Sequence, residues 1–417
     1  MAVRAGSLAS AAILSLGLAA ACGNSSGGSQ NSKTLTEIDY FTAGGSNQAV
    51  NWYNKKFEAA HPGVKIKRQS VPFANLITKV LQDASAHNLP NIVMLDNPNV
   101  PEVAATGQLR QLDSLPGFTT NGYYPGDMQE CKFTGHYYCY PIGTNSVAIF
   151  YNKKMLDAAH VQPPKTWQQL ITASKKLTKG SVHGIAFDAT SDEQSTWQLE
   201  PFMWTNGGSI TKVDSPQSVQ ALQLWQTLVK DGSASKQVLQ LGQSPDLAQE
   251  FIKKRAAMIE DGPWIFPLLD AAGLKYGVDY GISPIPVRQP GQTVVVPLGG
   301  ETWTLGDSGS TQQQNLAWQW LKGMQDPATM LHVTKLMYYL PTKPAITQKL
   351  LAEGPKYKVF ANETLHARAR TTQLGAKYPK VSQAVWTAIQ AALTGAATPQ
   401  QAMKQAQSSI SSVVGSG

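Results

Sequence analysis

Residues 140–170 read YPIGTNSVAIFYNKKMLDAAHVQPPKTWQQL, and this stretch decides the fold. Residues 147–151 are a short β-branched and aromatic run without a turn residue, which predicts a strand. Pro141 and Gly143 mark an irregular segment before it. Thr166 precedes apolar residues at helical spacing and is placed to cap the helix that follows. On pattern alone, the stretch predicts an ordinary strand, turn and helix of an α/β domain.

Three short motifs follow one another here in a specific order. They are Tyr-Pro-Ile before the strand, Tyr-Asn-Lys after it and Pro-Lys-Thr-Trp at the start of the helix. The order resembles the first interdomain crossing in the extracellular solute-binding proteins of ABC importers, within the sugar-binding branch that includes maltose-binding protein. Further motifs in the family's order extend the resemblance over residues 34–412.

The resemblance implies the type II periplasmic-binding-protein class, an α/β fold of two lobes with a ligand cleft between them. The implied crossings between the lobes lie near residues 141–146, 296–300 and 340–344. The division that follows assigns residues 34–143 with 299–341 to lobe 1, and residues 144–298 with 342–417 to lobe 2.

The start of the chain predicts export. Residues 1–21 carry one charge, Arg4, then a short apolar run and small residues directly before Cys22. This resembles a bacterial lipoprotein signal peptide, although the usual Leu three positions before the cysteine is absent. Residues 22–33 are rich in Gly, Ser and Asn and predict a flexible tether. We therefore expect an extracytoplasmic protein, lipid-anchored through Cys22 to the outer face of the bacterial cell membrane; a plain secreted protein is the alternative.

Composition and the absence of certain motifs limit the classes of function that the sequence predicts. A chain of 417 residues with 42% hydrophobic residues is long enough for two domains. The net charge of +8 is spread without a basic cluster among aromatics, so no nucleic-acid partner is expected. The sequence lacks His-Glu-x-x-His, Gly-x-Ser-x-Gly and phosphate-loop motifs, so no metal, cofactor or catalytic residue is predicted. A secreted glycosidase stays an alternative, because its two carboxylates meet only in the fold.

Two cysteines besides Cys22 flank a short loop. Gly135 stands at the centre of the segment between Cys131 and Cys139 and allows a hairpin turn that brings both ends together. In an exported protein such an isolated pair predicts a disulfide, worth about 2–3 kcal/mol for a short loop. A metal site would need more ligands, and only His136 is nearby in sequence.

Polar residues at strand ends are the first candidates for ligand binding, because open α/β sheets bind ligands at the carboxyl ends of their strands. Asp96 and Asn97 directly follow the continuous apolar run 92–95. Capping of the next helix is the alternative role for both. A Gly-rich turn after the first strand forms a second small concavity lined by backbone N–H groups. The candidate residues of that turn are Ser46, Asn47 and Gln48.

The resemblance implies the remaining candidates. Trp264 ends a Gly-Pro-Trp motif whose Trp stacks on the sugar ring in the family, and a flat ring suits the C–H face of a pyranose; a core aromatic is the alternative. Glu301 and Trp303 begin the strand that returns to lobe 1 and would face the cleft. Asn145 falls where maltose-binding protein has a sugar-contacting carboxylate. The other implied ligand residues are Trp204 and Gly300.

The implied function is that of a substrate-binding lipoprotein, a monomer without catalytic activity. It would capture a di- or oligosaccharide by closure of the lobes, and the permease subunits of the importer would recognise the closed form. The nearest alternative is a binding protein for glycerol 3-phosphate or glycerophosphodiesters. In that case Arg368 or Arg370, with the amides of Gly299 and Gly300, would hold phosphate; solvated arginines are the simpler interpretation.

Overall fold

The computed structural model describes residues 33–352 and 354–415. The predicted signal peptide, Cys22 and the tether up to residue 32 lie outside the described residues. Within these two ranges no helix is long and apolar enough to cross a membrane.

Strands and helices alternate through residues 34–104, whereas helices predominate in residues 153–252 and 311–415. Its strands are β1 (Thr34–Asp39), β2 (Lys65–Ser70), β3 (Ile92–Asp96), β4 (Lys132–Phe133), β5 (His136–Tyr137), β6 (Cys139–Pro141), β7 (Ala148–Asn152), β8 (Met258–Asp261), β9 (Tyr280–Ser283) and β10 (Glu301–Leu305). Its α-helices are α1 (Gly44–Ala60), α2 (Phe73–Ser85), α3 (Val100–Ala104), α4 (Pro125–Glu130), α5 (Lys153–Ala158), α6 (Trp167–Leu177), α7 (Glu193–Thr205), α8 (Pro216–Lys230), α9 (Ala248–Ile252), α10 (Phe266–Ala271), α11 (Thr311–Met324), α12 (Pro327–Met337), α13 (Pro344–Leu351), α14 (Lys358–Thr364), α15 (Tyr378–Thr394) and α16 (Pro399–Gly415).

The local patterns of the deciding stretch are confirmed. The predicted strand is β7, one residue later than expected. Thr166 caps α6, because its hydroxyl oxygen accepts a hydrogen bond from the Gln169 backbone N–H at 3.2 Å. Such a cap satisfies one of the free N–H groups at the start of a helix.

The larger sheet has five strands in the order β2-β1-β3-β10-β6. β1 runs parallel to β2 and β3, whereas β10 runs antiparallel to β3 and β6. The register of β10 on β3 pairs Glu301 with Asp96. Two candidate carboxylates therefore lie side by side where β3 ends and β10 begins. The second sheet is antiparallel with the order β8-β7-β9, and β4 and β5 form a hairpin.

The described chain has two hydrophobic cores, each built around one of the two larger sheets. The core on the five-stranded sheet is drawn from residues 35–142 and 303–346, and we call this part lobe 1. The core on the three-stranded sheet is drawn from residues 147–285 and 340–410, and we call this part lobe 2. The segments of the two cores follow one another along the chain in the same order as the segments of the two predicted lobes. The predicted lobe boundaries themselves stay a prediction.

Segments between the lobes pair with one another. Thr144 and Leu340 exchange backbone hydrogen bonds of 2.8 and 3.0 Å, and Asn145 and Gly299 exchange two of 3.0 Å. Gly300 has a φ of +131°, and a Cβ atom there would lie 2.2 Å from the Gly143 carbonyl oxygen. The close approach of these strands therefore requires glycine at residue 300.

Cys131 and Cys139 are joined by a disulfide, with their Cα atoms 4.9 Å apart. The bond closes the β4–β5 hairpin, whose turn includes Gly135 at a φ of +92°. The glycine supplies the left-handed backbone conformation that the turn needs.

Candidate functional site

A cavity of about 550 Å³ lies between the two lobes. Lobe 1 supplies the end of β1, the turn that begins α1, and the facing ends of β3 and β10. Lobe 2 supplies the first turn of α7 and the segment around Trp264. Side chains that line the cavity include Tyr40, Phe73, Asp96, Glu193, Trp197, Gln243, Trp264, Leu268, Glu301, Tyr339 and Arg370.

The structure brings many of the predicted residues together in this cavity. Those that line it are Ser46, Asp96, Asn145, Trp264, Gly300, Glu301 and Arg370. The predicted residues outside its lining are Asn47, Gln48, Asn97, Trp204 and Trp303. Asn47 accepts a hydrogen bond of 2.6 Å from the Arg68 guanidinium, and Gln48 is exposed.

Two tryptophans that were expected to contact the ligand lie in hydrophobic cores, which corrects that expectation. Trp303 is fully buried in lobe 1, edge-on to Trp320 at 4.9 Å between ring centroids. It shares a sheet face with Glu301 but lies two residues, about 7 Å, further along β10. Trp204 is buried in the core of lobe 2. It shares a helix face with Trp197, yet seven residues of α7 separate the two side chains by about 10 Å along the axis.

Trp197 is a cavity residue that the sequence reasoning missed. It stands in the second turn of α7, whereas the predicted ligand residue Trp204 lies near the end of the same helix. Helical spacing gives the face of a residue but not its distance from the cavity. Its position near the start of the helix was the signal available in the sequence.

Trp264 follows a tight turn. A Cβ atom on Gly262 would come within 2.0 Å of the Trp264 ring, so the ring lies directly against this glycine. Trp264 is partly buried and packs against the cores of both lobes. The Gly-Pro-Trp motif thus fixes an aromatic wall where the lobes meet.

Glu301 lies at the lobe 1 side of the cavity with only 5% of its surface exposed. Its Oε1 atom accepts hydrogen bonds from two phenol groups, that of Tyr339 at 2.9 Å and that of Tyr40. Its Oε2 atom is buried and has no hydrogen-bond partner within the described chain. Burial raises the pKa of Glu301 to about 7, although the tyrosine hydroxyls act in the opposite direction.

Arg370 lies between α14 and α15, is 4% exposed, and connects the lobes. Its Nη1 donates to Glu193 Oε1 of lobe 2 at 2.6 Å, and its Nη2 donates to Asp96 Oδ1 of lobe 1 at 3.1 Å. The guanidinium also lies 4.6 Å from the centre of a Trp197 ring. Burial alone would lower the pKa of Arg370, but the neighbouring carboxylates raise it well above its usual value. The positive charge of Arg370 is therefore compensated by carboxylates of the protein.

Asp96 and Asn97 do not cap the helix after β3. Asp96 precedes the helical turn without a side-chain capping bond, and its carboxylate pairs with Arg370. The Asn97 side chain bonds to the Leu298 carbonyl at 3.3 Å and accepts from Arg370. Asp96 and Asn97 thus bind Arg370 to lobe 1, and Asn97 also binds the second crossing.

The cavity contains more carboxylates than cations. Its charged lining residues are three carboxylates (Asp96, Glu193 and Glu301) and one guanidinium (Arg370), a formal sum of −2 when all are ionised. Arg368 is exposed and lies outside the lining. Among residues 33–352 and 354–415, no group of three or more His, Cys, Asp or Glu side chains is arranged to hold a metal ion.

The model of the family described as bacterial extracellular solute-binding proteins matches residues 52–362. This chain belongs to that family. It is similar to the galactooligosaccharide-binding protein of Bacillus subtilis strain 168, with 24% identity over 418 residues that cover 95% of this chain and 93% of that protein. It is also similar to the sn-glycerol-3-phosphate-binding periplasmic protein of Pectobacterium atrosepticum, with 24% identity over 314 residues, 69% of this chain and 67% of that one.

Among solved structures, an ABC transporter solute-binding protein from Thermotoga lettingae, bound with α-D-tagatose, superposes on this solute-binding protein with a TM-score of 0.83. The two chains are 25% identical, and the match covers 92% of this chain and all of the other. The predicted fold class, a periplasmic-binding-protein-like α/β fold with a cleft between two lobes, is confirmed.

Proposed function

We propose that this solute-binding protein captures a neutral di- or oligosaccharide for import by an ABC transporter and holds it between its lobes. One observation carries the proposal. The cavity combines an aromatic wall with an excess of carboxylates, and its single cation is already paired on both sides. A volume of about 550 Å³ lies within the range of about 300–1,000 Å³ that small-molecule sites span.

Each part of the lining suits a sugar. The Trp264 ring offers a flat apolar surface to the C–H face of a pyranose. Carboxylates bind hydroxyl groups through charge-assisted hydrogen bonds without any chemical step. Because the ligand contacts both lobes, binding favours the closed arrangement over the open one.

A phosphate ligand fits this cavity less well. Both Nη atoms of Arg370 are engaged by carboxylates, and Arg368 is exposed and lies outside the lining. The Gly299 amide donates to the Asn145 carbonyl at 3.0 Å and is thus engaged in the crossing. The formal charge of −2 on the lining would repel an anion.

We propose no catalytic role for the carboxylates. Asp96 is held in an ion pair by Arg370, and two phenol groups fix the Glu301 carboxylate in one orientation, an arrangement that suits hydrogen bonding to a ligand. A chromogenic glycoside incubated with the protein is expected to stay intact. Release of its chromophore, lost in Glu301→Gln, would support the glycosidase alternative.

We further propose that the mature protein is anchored to the membrane by a lipid on Cys22, acts as a monomer and delivers its ligand to permease subunits. The motif before Cys22 and the Gly/Ser-rich segment after it support the anchor. In a detergent phase-partitioning assay, we expect the unaltered protein in the detergent phase and the Cys22→Ala variant in the aqueous phase. Aqueous partitioning of the unaltered protein would contradict the anchor.

A thermal-shift screen of the mature chain tests the proposed ligand class. The panel is maltotriose, galactooligosaccharides, D-tagatose, glycerol 3-phosphate and a glycerophosphodiester. A ligand at 100 times its dissociation constant adds about 2.7 kcal/mol of stability. We expect a shift with at least one neutral sugar. A shift with the phosphorylated compounds alone would overturn the proposal.

A further inference from the structure

Three residues that line the cavity carry a buried polar atom without a hydrogen-bond partner within the described ranges. These atoms are Glu301 Oε2, Gln243 Nε2 and Arg370 Nε. Buried polar groups in native proteins nearly always have a partner. An unsatisfied one costs about 1–3 kcal/mol. A molecule that enters the cavity and supplies the missing partners would therefore gain affinity.

The unpaired atom of Glu301 belongs to lobe 1 and is an acceptor. Because Tyr40 and Tyr339 both donate to Oε1, the carboxylate is held in one orientation and Oε2 is the oxygen left over. Glu301 is also the first residue of β10, which is paired on both sides by β3 and β6. The acceptor is therefore fixed by the sheet and by two phenol groups.

The unpaired atom of Gln243 belongs to lobe 2 and is a donor. The backbone N–H of Gln243 is held by Gln194 Oε1 at 3.2 Å, so the residue is tied to the first turn of α7. Its Nε2 atom is buried without a partner. The third orphan atom, Arg370 Nε, lies on the guanidinium that stacks against Trp197. Arg370 Nε is also a donor, but its guanidinium is already paired with Asp96 and Glu193. Glu301 and Gln243 are thus the unsatisfied acceptor and donor on opposite lobes whose side chains form no ion pair.

We propose that Glu301 and Gln243 are paired specificity residues that bind two hydroxyl groups of one sugar ligand from opposite lobes. Glu301 Oε2 accepts a hydroxyl proton, and Gln243 Nε2 donates to a second hydroxyl oxygen. This inference rests on the proposed function, since it requires a hydroxyl-bearing ligand. A ligand that satisfies both atoms contacts both lobes, so recognition of its hydroxyl groups is coupled to closure.

Because both phenol groups donate to Oε1, a proton on the Glu301 carboxyl group would sit on Oε2 and turn this atom from an acceptor into a donor. Binding through Oε2 as an acceptor therefore depends on pH. The titratable and charged groups around it are Tyr40 from β1, Tyr339 before the third crossing, and Asp96 from β3 with its partner Arg370. Burial raises the pKa of Glu301 to about 7 in the free protein. Affinity is therefore expected to be greatest at pH 8 and to be about 30-fold weaker at pH 5.5, as for one proton that must leave before binding.

Calorimetry with maltotriose and with a galactooligosaccharide, at pH values from 5.5 to 8, tests this pairing in the full mature chain. Glu301→Gln is expected to weaken binding about tenfold at pH 8 and to flatten the pH profile. Gln243→Ala is expected to weaken binding about tenfold at every pH and to keep the profile. Matched controls are Glu102→Gln on α3 and the exposed Gln168→Ala on α6, which should bind as the unaltered protein does.

The outcomes separate this inference from the function on which it rests. If the unaltered protein binds either sugar and both variants bind it equally well, the pairing is overturned while the sugar-binding function stands. If the unaltered protein binds neither sugar but binds glycerol 3-phosphate, the proposed function itself fails. Circular dichroism melting of each variant checks folding. Gln243→Ala leaves the tyrosine bonds of Glu301 intact and provides a second test if Glu301→Gln does not fold.

Discussion

Replacing Arg370 with methionine removes the cation that holds two buried carboxylates from opposite lobes. The side chains of Asp96 and Glu193 are 15% and 17% exposed, and that of Arg370 is 3% exposed. Removing one partner of a buried ion pair costs about 3–5 kcal/mol, because an uncompensated charge stays buried. At about 2 °C per kcal/mol for a large chain, the melting temperature should fall by about 6–10 °C.

The loss in Arg370→Met should depend on pH. Burial raises the pKa of Asp96 and of Glu193, and Arg370 opposes this increase in both. Without Arg370 both pKa values rise further. A carboxyl whose folded pKa lies above its unfolded pKa destabilises the fold at high pH, and this penalty disappears as pH falls through the folded pKa. The deficit is therefore largest at pH 8 and smaller at pH 5.

Differential scanning calorimetry at both pH values measures this effect. Arg368→Met is the matched control, because this arginine is exposed two residues earlier and lies outside the cavity lining. We expect the control to melt within about 1 °C of the unaltered protein, as surface substitutions usually do. A melting temperature of Arg370→Met within about 2 °C of the unaltered protein at pH 8 would refute the role of Arg370 as the ion pair that connects the lobes.

Three further changes test the site and its frame. Trp264→Ala should weaken sugar binding about tenfold or more by removing the aromatic wall, and calorimetry showing unchanged affinity would contradict the stacking role. Gly300→Ala should lower the melting temperature, because its Cβ would lie 2.2 Å from the Gly143 carbonyl oxygen; equal stability would refute that constraint. Cys131→Ser with Cys139→Ser should cost about 2–3 kcal/mol in urea unfolding, and no loss would show that the short loop is held without the disulfide.

Local chemistry along the chain predicted much of the frame. The β-branched run of β7 and the capping hydroxyl of Thr166 depend only on neighbouring residues, and both appear as expected. Asp96, predicted from its place at the carboxyl end of a strand, and Glu301, predicted from the family resemblance, both line the cavity.

Local patterns could not predict how deeply a side chain is buried or which residues far apart in the sequence contact each other. Trp204 and Trp197 share one face of α7, and periodicity alone cannot tell which lies at the cavity. The bond between Arg370 and Glu193 joins residues 177 positions apart, and no local pattern relates them. Gln243 begins a short helical segment, Gln243–Leu247, that carries no sequence motif. Only the fold shows that its side-chain amide lines the cavity unpaired.

We expect the cavity to bind a neutral sugar and to reject phosphate. Calorimetric titration of the unaltered mature protein at pH 8, with a galactooligosaccharide, maltotriose and glycerol 3-phosphate in parallel, tests it most directly. The carboxylates of the cavity and the paired state of Arg370 predict measurable binding of at least one of the two neutral sugars and none of glycerol 3-phosphate. Tight binding of glycerol 3-phosphate without binding of either sugar would contradict the account.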